Sequence, residues 1–499
     1  MVNLSAFAHY HARLTPDRTA VVYGDLTISW RDFAERIGRL AALLHARGVA
    51  PGDRVAACMK NAPAFLDLAF ACSQVGAVFL PVNYRLAAAE IEYILANAEA
   101  KLLFADEELA AQTQSFAPRI LLDDRAQRDS RALAPDGAAP PPIAMCRPDD
   151  LFRLMYTSGT TDRPKGVMHS YSNLYWKCMD HVVALGLTSA DRLAIAGPLY
   201  HVGAFDLPGI AVLWVGGMVS ILRDFDPAAF LGAVERDRLT GAWLAPVMLS
   251  RALALDGRAR YDLSSLRWCI GGGERTPEPR IRAFAGLFPK ARYIDAYGLT
   301  ESCSGDTFME PGREIEKIGS TGRATPHVAL SIRDERGAEI AAGQEGEICL
   351  RGPKVTRGYW RDEEKTRASF WGDWFRTGDV GHLDAEGFLY LTDRKKDMIK
   401  SGGENIASSE VERVVYMLPE IAEAAAIGVP DERWGERPVV VAVLREGAAL
   451  TADDLQAHCR QHLAGFKVPK ELHLRTVLPR NPSGKVLKRV LREELARGP

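Results

Sequence analysis

The sequence predicts an α/β protein: a large N-terminal domain of parallel-sheet α/β subdomains, a β-rich subdomain, and a small α+β domain at the C-terminus. Three observations predict it. Residues 29–83 run helix, strand, helix, strand. Residues near 319–392 are Gly-rich, with short apolar stretches such as "GEICLRG" and "FLYLTD". The charged tract "TDRKKDMIKSGGEN" (392–405) breaks that pattern, and mixed helix and strand follow it. At 499 residues the chain exceeds one compact core, so two to four domains are expected.

In "SWRDFAERIGRLAALLHARG" (29–48), Ser29 and Asp32 form a capping pair, and Phe33, Ile37, Leu40 and Leu44 lie along one helical stripe. Gly48 suits the left-handed turn that ends such a helix. "DRVAACM" (53–59) reads as a strand, "NAPAFLDLAFACSQVG" (61–76) as a helix capped by Asn61, and "AVFLPVN" (77–83) as a second strand. That β-α-β order favours a parallel sheet with covering helices. Residues 124–146, rich in Ala, Pro and charge without a period, predict a surface excursion. "IAVLWVGGMVSIL" (210–222) is too short to span a bilayer and predicts buried strand and turn. Past the charged tract come a helix from Ser409, a strand "VVVAVL" (439–444), a helix capped by Thr451 and Asp454, and the strand "ELHLRTV" (471–477).

Basic and acidic residues nearly balance, 62 against 64, so no global field draws the chain to nucleic acid or to an acidic membrane. The eight cysteines are scattered, without a CxxC pair or a His cluster at zinc spacing, and predict buried free thiols. The N-terminus lacks the charged start and apolar core of a signal peptide. Cytoplasm is the expected location. Oligomeric state stays open, a homodimer included.

Chemistry concentrates in "LMYTSGTTDRPKGVMHS" (154–170). An apolar strand runs into Thr157, Ser158, Gly159, Thr160 and Thr161, whose hydroxyls and unobstructed backbone N–H groups suit anionic oxygens, and Lys165 adds a mobile charge. The spacing is not that of GxxxxGK[ST], because Lys165 precedes Gly166 and no hydroxyl follows. Alone, the loop is equally a Ser/Thr/Gly turn.

"YTSGTTDRPKG" resembles the signature of the adenylate-forming enzymes: acyl-CoA synthetases, aryl-CoA ligases, luciferases and peptide-synthetase adenylation domains. The resemblance continues in order through "DAYGLTES" (295–302), "WFRTGDVG" (374–381), "LYLTDRKKDMIKSGGENI" (389–406) and "NPSGKVLKR" (481–489), covers nearly the whole chain, and is strongest to bacterial carboxylate:CoA ligases of fatty or aromatic acids. It implies a two-step reaction. A carboxylate attacks the α-phosphate of ATP and releases pyrophosphate; the acyl-adenylate then passes to the coenzyme A thiol with loss of AMP. Joining two anions requires positive charge at the developing pentavalent phosphorus.

The same resemblance assigns roles. Lys485 bridges carboxylate and α-phosphate, Glu301 ligates Mg2+, and Thr300 bonds phosphate oxygen. Tyr297 stacks on adenine and borders the acyl pocket, whose other lining falls to His201 and Phe205 in "PLYHVGAF". Asp379 and Arg394 contact the ribose, an ionised carboxylate being able to accept from both hydroxyls. The domains divide as 1–393, a hinge 394–398 pivoting at Lys396, and a mobile C-terminal domain 399–499 that brings Lys485 for the first step and Lys400 for the second. Gly402 and Gly403 leave room for pantetheine, while Trp434, Arg437 and Lys467 are candidates for the CoA base.

The pattern departs in places. Asp162 stands where the family usually has glycine, near Arg163 as a compensating charge. "GGGERTP" (271–277) brings Glu274 and Arg275 next to Gly273, where backbone wraps the adenine edge, and Ala296 replaces a glycine. The expected substrate is a medium- or long-chain fatty acid or an arylpropenoic acid of feruloyl or coumaroyl type, since the acyl segment has few large blocking residues beyond Phe205 and Trp243. Alicyclic and polar acids are the alternatives. A ligase that hands its acyl group to a carrier protein is another, disfavoured by "KSGGEN" and by the expectation of no carrier domain after residue 499. A kinase would yield ADP rather than AMP and pyrophosphate. A non-catalytic nucleotide binder would not need Lys485, Glu301 and Asp379 together.

Overall fold

The structure is a computed structural model and describes residues 2–134, 137–157, 164–272, 278–394, 397–401, 404–480 and 486–496. The chain divides into two compact units, residues 1–329 with 350–375 and residues 330–349 with 376–499.

The first unit holds two large sheets. In one, strands lie in the order 119–122, 100–106, 54–58, 78–81, 151–157 and 165–170. All neighbours are parallel except the last two, which form an antiparallel hairpin. In the other, the strands 292–297, 268–272, 241–243, 192–195, 218–221 and 19–23 are parallel neighbours in that order, with short antiparallel strands at either edge. Parallel strands need helical crossovers, and the chain supplies them. Helix Trp30–Ala46 starts at Ser29 with the full capping box to Asp32, and buries Phe33, Ile37, Leu40 and Leu44. Helix Pro63–Val75 buries every residue and ends at left-handed Gly76.

Three local expectations are corrected. Ala62 caps helix Pro63–Val75, with Pro63 in its first turn. The Asn61 amide instead donates to the carbonyls of Gly197 (2.7 Å) and Leu222 (3.0 Å) and accepts from Leu199 N–H (2.8 Å), stitching the ends of other segments together. Within 210–222, Ile210–Trp214 is a short helix and only Met218–Ile221 is a strand. A five-residue apolar run carries no period that separates the two. The excursion after Asp124 is partly internal: Ser130 is buried and donates to Asp67, which is paired with the buried Arg36.

In the second unit, strands Ala329–Arg333, Gly346–Arg351, Trp374–Leu383 and Leu389–Arg394 neighbour one another in that order. A further sheet runs Glu404–Ile406, Ile399–Ser401, Gly435–Leu444, Ile421–Asp431, with Glu471–Leu474 parallel to Gly435–Leu444. Its side chains alternate between faces with the period of two that a strand imposes. Val440 and Ala442 pack with Val411 and Leu455, from helices Ser408–Val415 and Ala452–His462. Val439 and Val441 pack with Leu491 from helix Lys488–Ala496. Thr451 and Asp454 form the expected capping box. All eight cysteines are free and seven are buried. No described helix is long and apolar enough to cross a membrane.

Candidate active site

The strand Leu151–Thr157 ends at Thr157, and the chain returns in Lys165–Ser170 with Thr157 opposite Lys165. Ser158, Gly159, Thr160 and Thr161, with Asp162 and Arg163, fall in the connecting segment, outside the described residues. The hairpin is largely apolar, with Phe152, Leu154, Met155 and Val167 buried, but it also holds a buried charge. Arg153 and His169 face each other in register and are both buried. The Arg153 guanidinium donates to His169 Nδ1 (2.9 and 3.1 Å) and pairs with Asp206 at 2.8 Å.

An arginine can only donate, so His169 Nδ1 must be the acceptor and its proton sits on Nε2. That Nε2–H donates to the Thr300 carbonyl at 2.7 Å. Burial, and next the Arg153 charge, pull the His169 pKa down to about 3, so the ring stays neutral and the tautomer stays fixed. Thr300 is thereby tied to the strand that carries Lys165.

Thr300 and Glu301 open a short 3-10 turn, and Cys303, Ser304 and Gly305 follow with positive φ. Gly298 permits the fold-back: a Cβ there would collide with the Gly305 and Ser304 backbone. Lys354, fully buried, pairs with Asp306 at 3.0 Å and donates to the Gly305 carbonyl at 2.6 Å. Glu301 is held twice. Its carbonyl accepts from Thr356 N–H at 2.6 Å, and its carboxylate Oε1 accepts from the Tyr359 hydroxyl at 2.9 Å. Burial, and then the Glu301 charge, raise the Tyr359 pKa, so the phenol remains a donor.

The second sheet of this unit gathers the acyl-pocket candidates. Strands 192–195, 241–243, 268–272 and 292–297 are parallel and adjacent, so their C-terminal ends share one edge, where α/β sheets bind ligands. At that edge Gly272 pairs with Ala296, next to Tyr297. The Trp243 indole nitrogen would lie 3.9 Å from a Cβ on Gly272. A Cβ on Gly197 or Gly203 would run into the Trp243 ring, so both glycines are required for the indole to lie where it does. The His201 ring stacks near Trp243, with centroids 6.4 Å apart, and its Nδ1 accepts from Gly203 N–H. Burial lowers the His201 pKa. Phe205 is buried against Phe65 and Phe79, with the Arg153 guanidinium over its ring. Gly273, Glu274 and Arg275 lie outside the described residues.

In the second unit, Asp379 lies on Trp374–Leu383 opposite Arg394 in register, and its N–H donates to Thr377 Oγ1. Lys400 is exposed on Ile399–Ser401, and its N–H donates to Glu436 at 2.7 Å. Arg437 pairs with Glu471 and Lys467 with Glu410, while Trp434 stays exposed under the Arg433 guanidinium. Lys396, Gly402, Gly403 and Lys485 lie outside the described residues.

Thus the first unit brings Thr157, Lys165, Thr300 and Glu301 around one hairpin and places His201 and Tyr297 along one sheet edge. Motif reading missed Arg153, His169, Thr356 and Tyr359. A signal existed for one: Arg153 interrupts the apolar strand "LFRLMY", and a lone charge there requires a buried partner. Tyr359 in "RGYWRD" carries no such mark.

Among the described residues no group of three or more His, Cys, Asp or Glu could hold a metal ion alone. A single oriented carboxylate fits magnesium that is otherwise bound by nucleotide phosphates and water, because this hard ion prefers oxygen and keeps much of its hydration.

Comparison with known proteins agrees. The sequence matches the AMP-binding enzyme family over residues 8–360 and the AMP-binding enzyme C-terminal domain over residues 410–485. It is 40% identical over 478 residues to feruloyl-CoA synthase of Amycolatopsis sp, covering 96% of each chain. It is 36% identical to indoleacetate–CoA ligase of Aromatoleum aromaticum, covering 99% of each. The structure resembles o-succinylbenzoate CoA synthetase from Bacillus subtilis in complex with its acyl-adenylate intermediate, with a TM-score of 0.89, 31% identity and 97% of both chains covered. The pairing of Thr157 with Lys165 in one hairpin, a braced Glu301 beside that hairpin and these matches across the chain establish the assignment: the protein belongs to the AMP-binding, adenylate-forming family and is an AMP-forming acid–coenzyme A ligase.

Proposed function

We propose that this ligase activates an arylpropenoic acid, of which ferulate and coumarate are examples. One observation supports this most: the Trp243 indole, buried against Gly197 and Gly203 with the His201 ring stacked near it, makes the C-terminal edge of the sheet flat and aromatic where Gly272 pairs with Ala296, next to Tyr297. A flat conjugated acid gains stacking area there, whereas a long alkyl chain needs depth that the indole occupies. The similarity to feruloyl-CoA synthase supports the same class.

In the first step the carboxylate oxygen attacks the α-phosphorus, and the bond to pyrophosphate breaks. Lys485 neutralises the approaching oxygens, Lys165 and the hydroxyls of 157–161 hold the phosphates, and Thr300 bonds one phosphate oxygen. Tyr297 stacks on the adenine beside the backbone of Gly273 and Glu274, and Asp379 and Arg394 hold the ribose. Magnesium, bound through Glu301, would supply charge neutralisation on the phosphate oxygens. In the second step the coenzyme A sulfur, as thiolate, attacks the acyl carbon and AMP leaves. The domain 399–499 turns about a hinge at 394–398 centred on Lys396, exchanging Lys485 for Lys400, while pantetheine passes Gly402 and Gly403. His201 and Phe205 border the acyl group.

The test is CoA-dependent AMP formation with a panel of acids. Ferulate and coumarate should exceed octanoate, palmitate and o-succinylbenzoate in kcat/KM by about 10-fold or more, the discrimination available to a shaped apolar pocket. Preference for palmitate would overturn the arylpropenoic reading.

A further inference from the structure

We propose that Tyr359 is a positioning residue for magnesium use: its hydroxyl, by donating to Glu301 Oε1, sets the orientation in which that carboxylate meets the metal. The inference rests on the reading of Glu301 as the metal-binding carboxylate, and adds a residue that no motif marks.

Three observations carry it. The hydrogen bond is well formed, 2.9 Å from Tyr359 Oη to Glu301 Oε1, and Tyr359 is 8% exposed, so water does not compete freely for it. The backbone that carries the phenol is itself fixed to the hairpin 151–170. Tyr359 bridges to Val167, Trp360 N–H donates to the Gly166 carbonyl at 2.7 Å, and Met168 N–H donates to the Gly358 carbonyl. Finally, the backbone of the turn is pinned by the same two segments, through His169 to the Thr300 carbonyl and through Thr356 N–H to the Glu301 carbonyl. With the peptide already immobile, the remaining freedom of Glu301 is the rotation of its own side chain. That rotation is what the Tyr359 hydroxyl restrains.

A carboxylate that must meet a magnesium ion of strict octahedral preference gains from being oriented in advance, and loss of such an outer partner typically costs 10–100-fold in metal affinity or activity. Orientation matters only where the metal is used. Tyr359→Phe should therefore damage acyl-adenylate formation and spare thioester formation from preformed acyl-adenylate.

The experiment uses the full chain. Pyrophosphate exchange is measured against MgCl2 concentration for wild type, Tyr359→Phe, Glu301→Gln and Tyr156→Phe, alongside thioester formation from synthetic acyl-adenylate. Tyr156 is a half-buried phenol on the same hairpin that donates to Asn97 at 2.6 Å and does not carry the Glu301 bond, so it controls for the loss of any hydroxyl. Tyr359→Phe should need about 10-fold more magnesium for half-maximal exchange, or lose about 10-fold in rate at saturation, with the thioester step unchanged within about 2-fold. Tyr156→Phe should match wild type in magnesium demand.

If Tyr359→Phe keeps the wild-type magnesium curve while Glu301→Gln loses exchange, only the Tyr359 proposal falls. If Glu301→Gln keeps the wild-type curve, the reading of Glu301 falls and takes this one with it. An equal loss in both half-reactions, or the same shift in Tyr156→Phe, overturns a specific role for the phenol. Should Tyr359→Phe not fold, Tyr359→His, which restores a donor, gives the second readout. Folded Tyr359→His with a wild-type magnesium curve supports the proposal, and with a curve like that of Glu301→Gln it overturns it.

Discussion

Around the turn 300–306, Lys354 pairs with Asp306 and Lys177 lies beside Asp206, all four at zero side-chain exposure. Around Lys400 in the second unit, the ion pairs are half in water: Arg437 and Glu471 are 28% and 40% exposed, Lys467 and Glu410 24% and 33%. Water screens the latter and lets them exchange partners. The former are shut away from water, with Arg153 as a second partner of Asp206 and the Gly305 carbonyl as a second acceptor for Lys354, and cannot trade those partners for solvent, because an unpaired charge in that interior costs several kcal/mol. The difference teaches where rigidity is spent. The turn assigned to phosphate and metal is built not to adapt, whereas the surface carrying Lys400 is held by backbone pairing and weak ion pairs, as suits a residue assigned to one of two half-reactions.

The comparison breaks first at Arg153. Arg153→Met leaves Asp206 only the longer pairing with Lys177 and removes the donor to His169, and should cost about 3–5 kcal/mol in the urea transition of the first unit. If the cost is no larger than that of Arg437→Met, the buried network is not what stiffens the turn. Next in size, Lys485→Ala should lower pyrophosphate exchange about 10²–10³-fold while preformed acyl-adenylate still becomes thioester. Lys400→Ala should show the reverse bias. Equal loss of both steps in both variants would end the division of labour between the two lysines.

Acid sharpens the contrast. His169 titrates near 3 in the folded chain but near its ordinary 6.5 when unfolded. Between those values the unfolded chain binds a proton that the folded chain does not, so this contribution to stability is complete above about pH 6.5 and is lost as pH falls through the window. Asp106, raised to about 6 by burial, acts oppositely between 3.8 and 6, where the folded chain holds the extra proton. Urea midpoints measured from pH 7 to pH 5 should fall less in His169→Gln than in wild type and more in Asp106→Asn. The smallest effect belongs to the surface: Arg437→Met or Lys467→Met should shift stability by about 1 kcal/mol or less, and 0.5 M NaCl should erase most of it. A larger loss at either position would show that these pairs are structural after all.

Local signals in the sequence were reliable wherever the interaction itself was local. Ser29 with Asp32 and Thr451 with Asp454 each cap a helix within four residues, and both boxes form. The apolar stripe of 30–46 buries as its period requires, and the continuous apolar run 439–444 forms a strand with residues buried on both of its faces. Asn61 looked like a cap by the same reasoning, yet its amide was claimed by carbonyls at 197 and 222. The motifs located Thr300, Glu301 and Asp379, but not what holds them.

By itself, then, the sequence determined the alternation of strands and helices, the capping boxes at Ser29 and Thr451, and the ordered strings that mark an adenylate-forming ligase. Each depends on neighbours a few residues apart, or on residue identities that chemistry constrains. Only the tertiary structure decided that His169 reaches the Thr300 carbonyl across 131 positions and that Tyr359 reaches Glu301 across 58. Such contacts leave no period, because a buried hydrogen bond needs one donor and one acceptor brought together, and where each lies along the chain is set by the path of the fold.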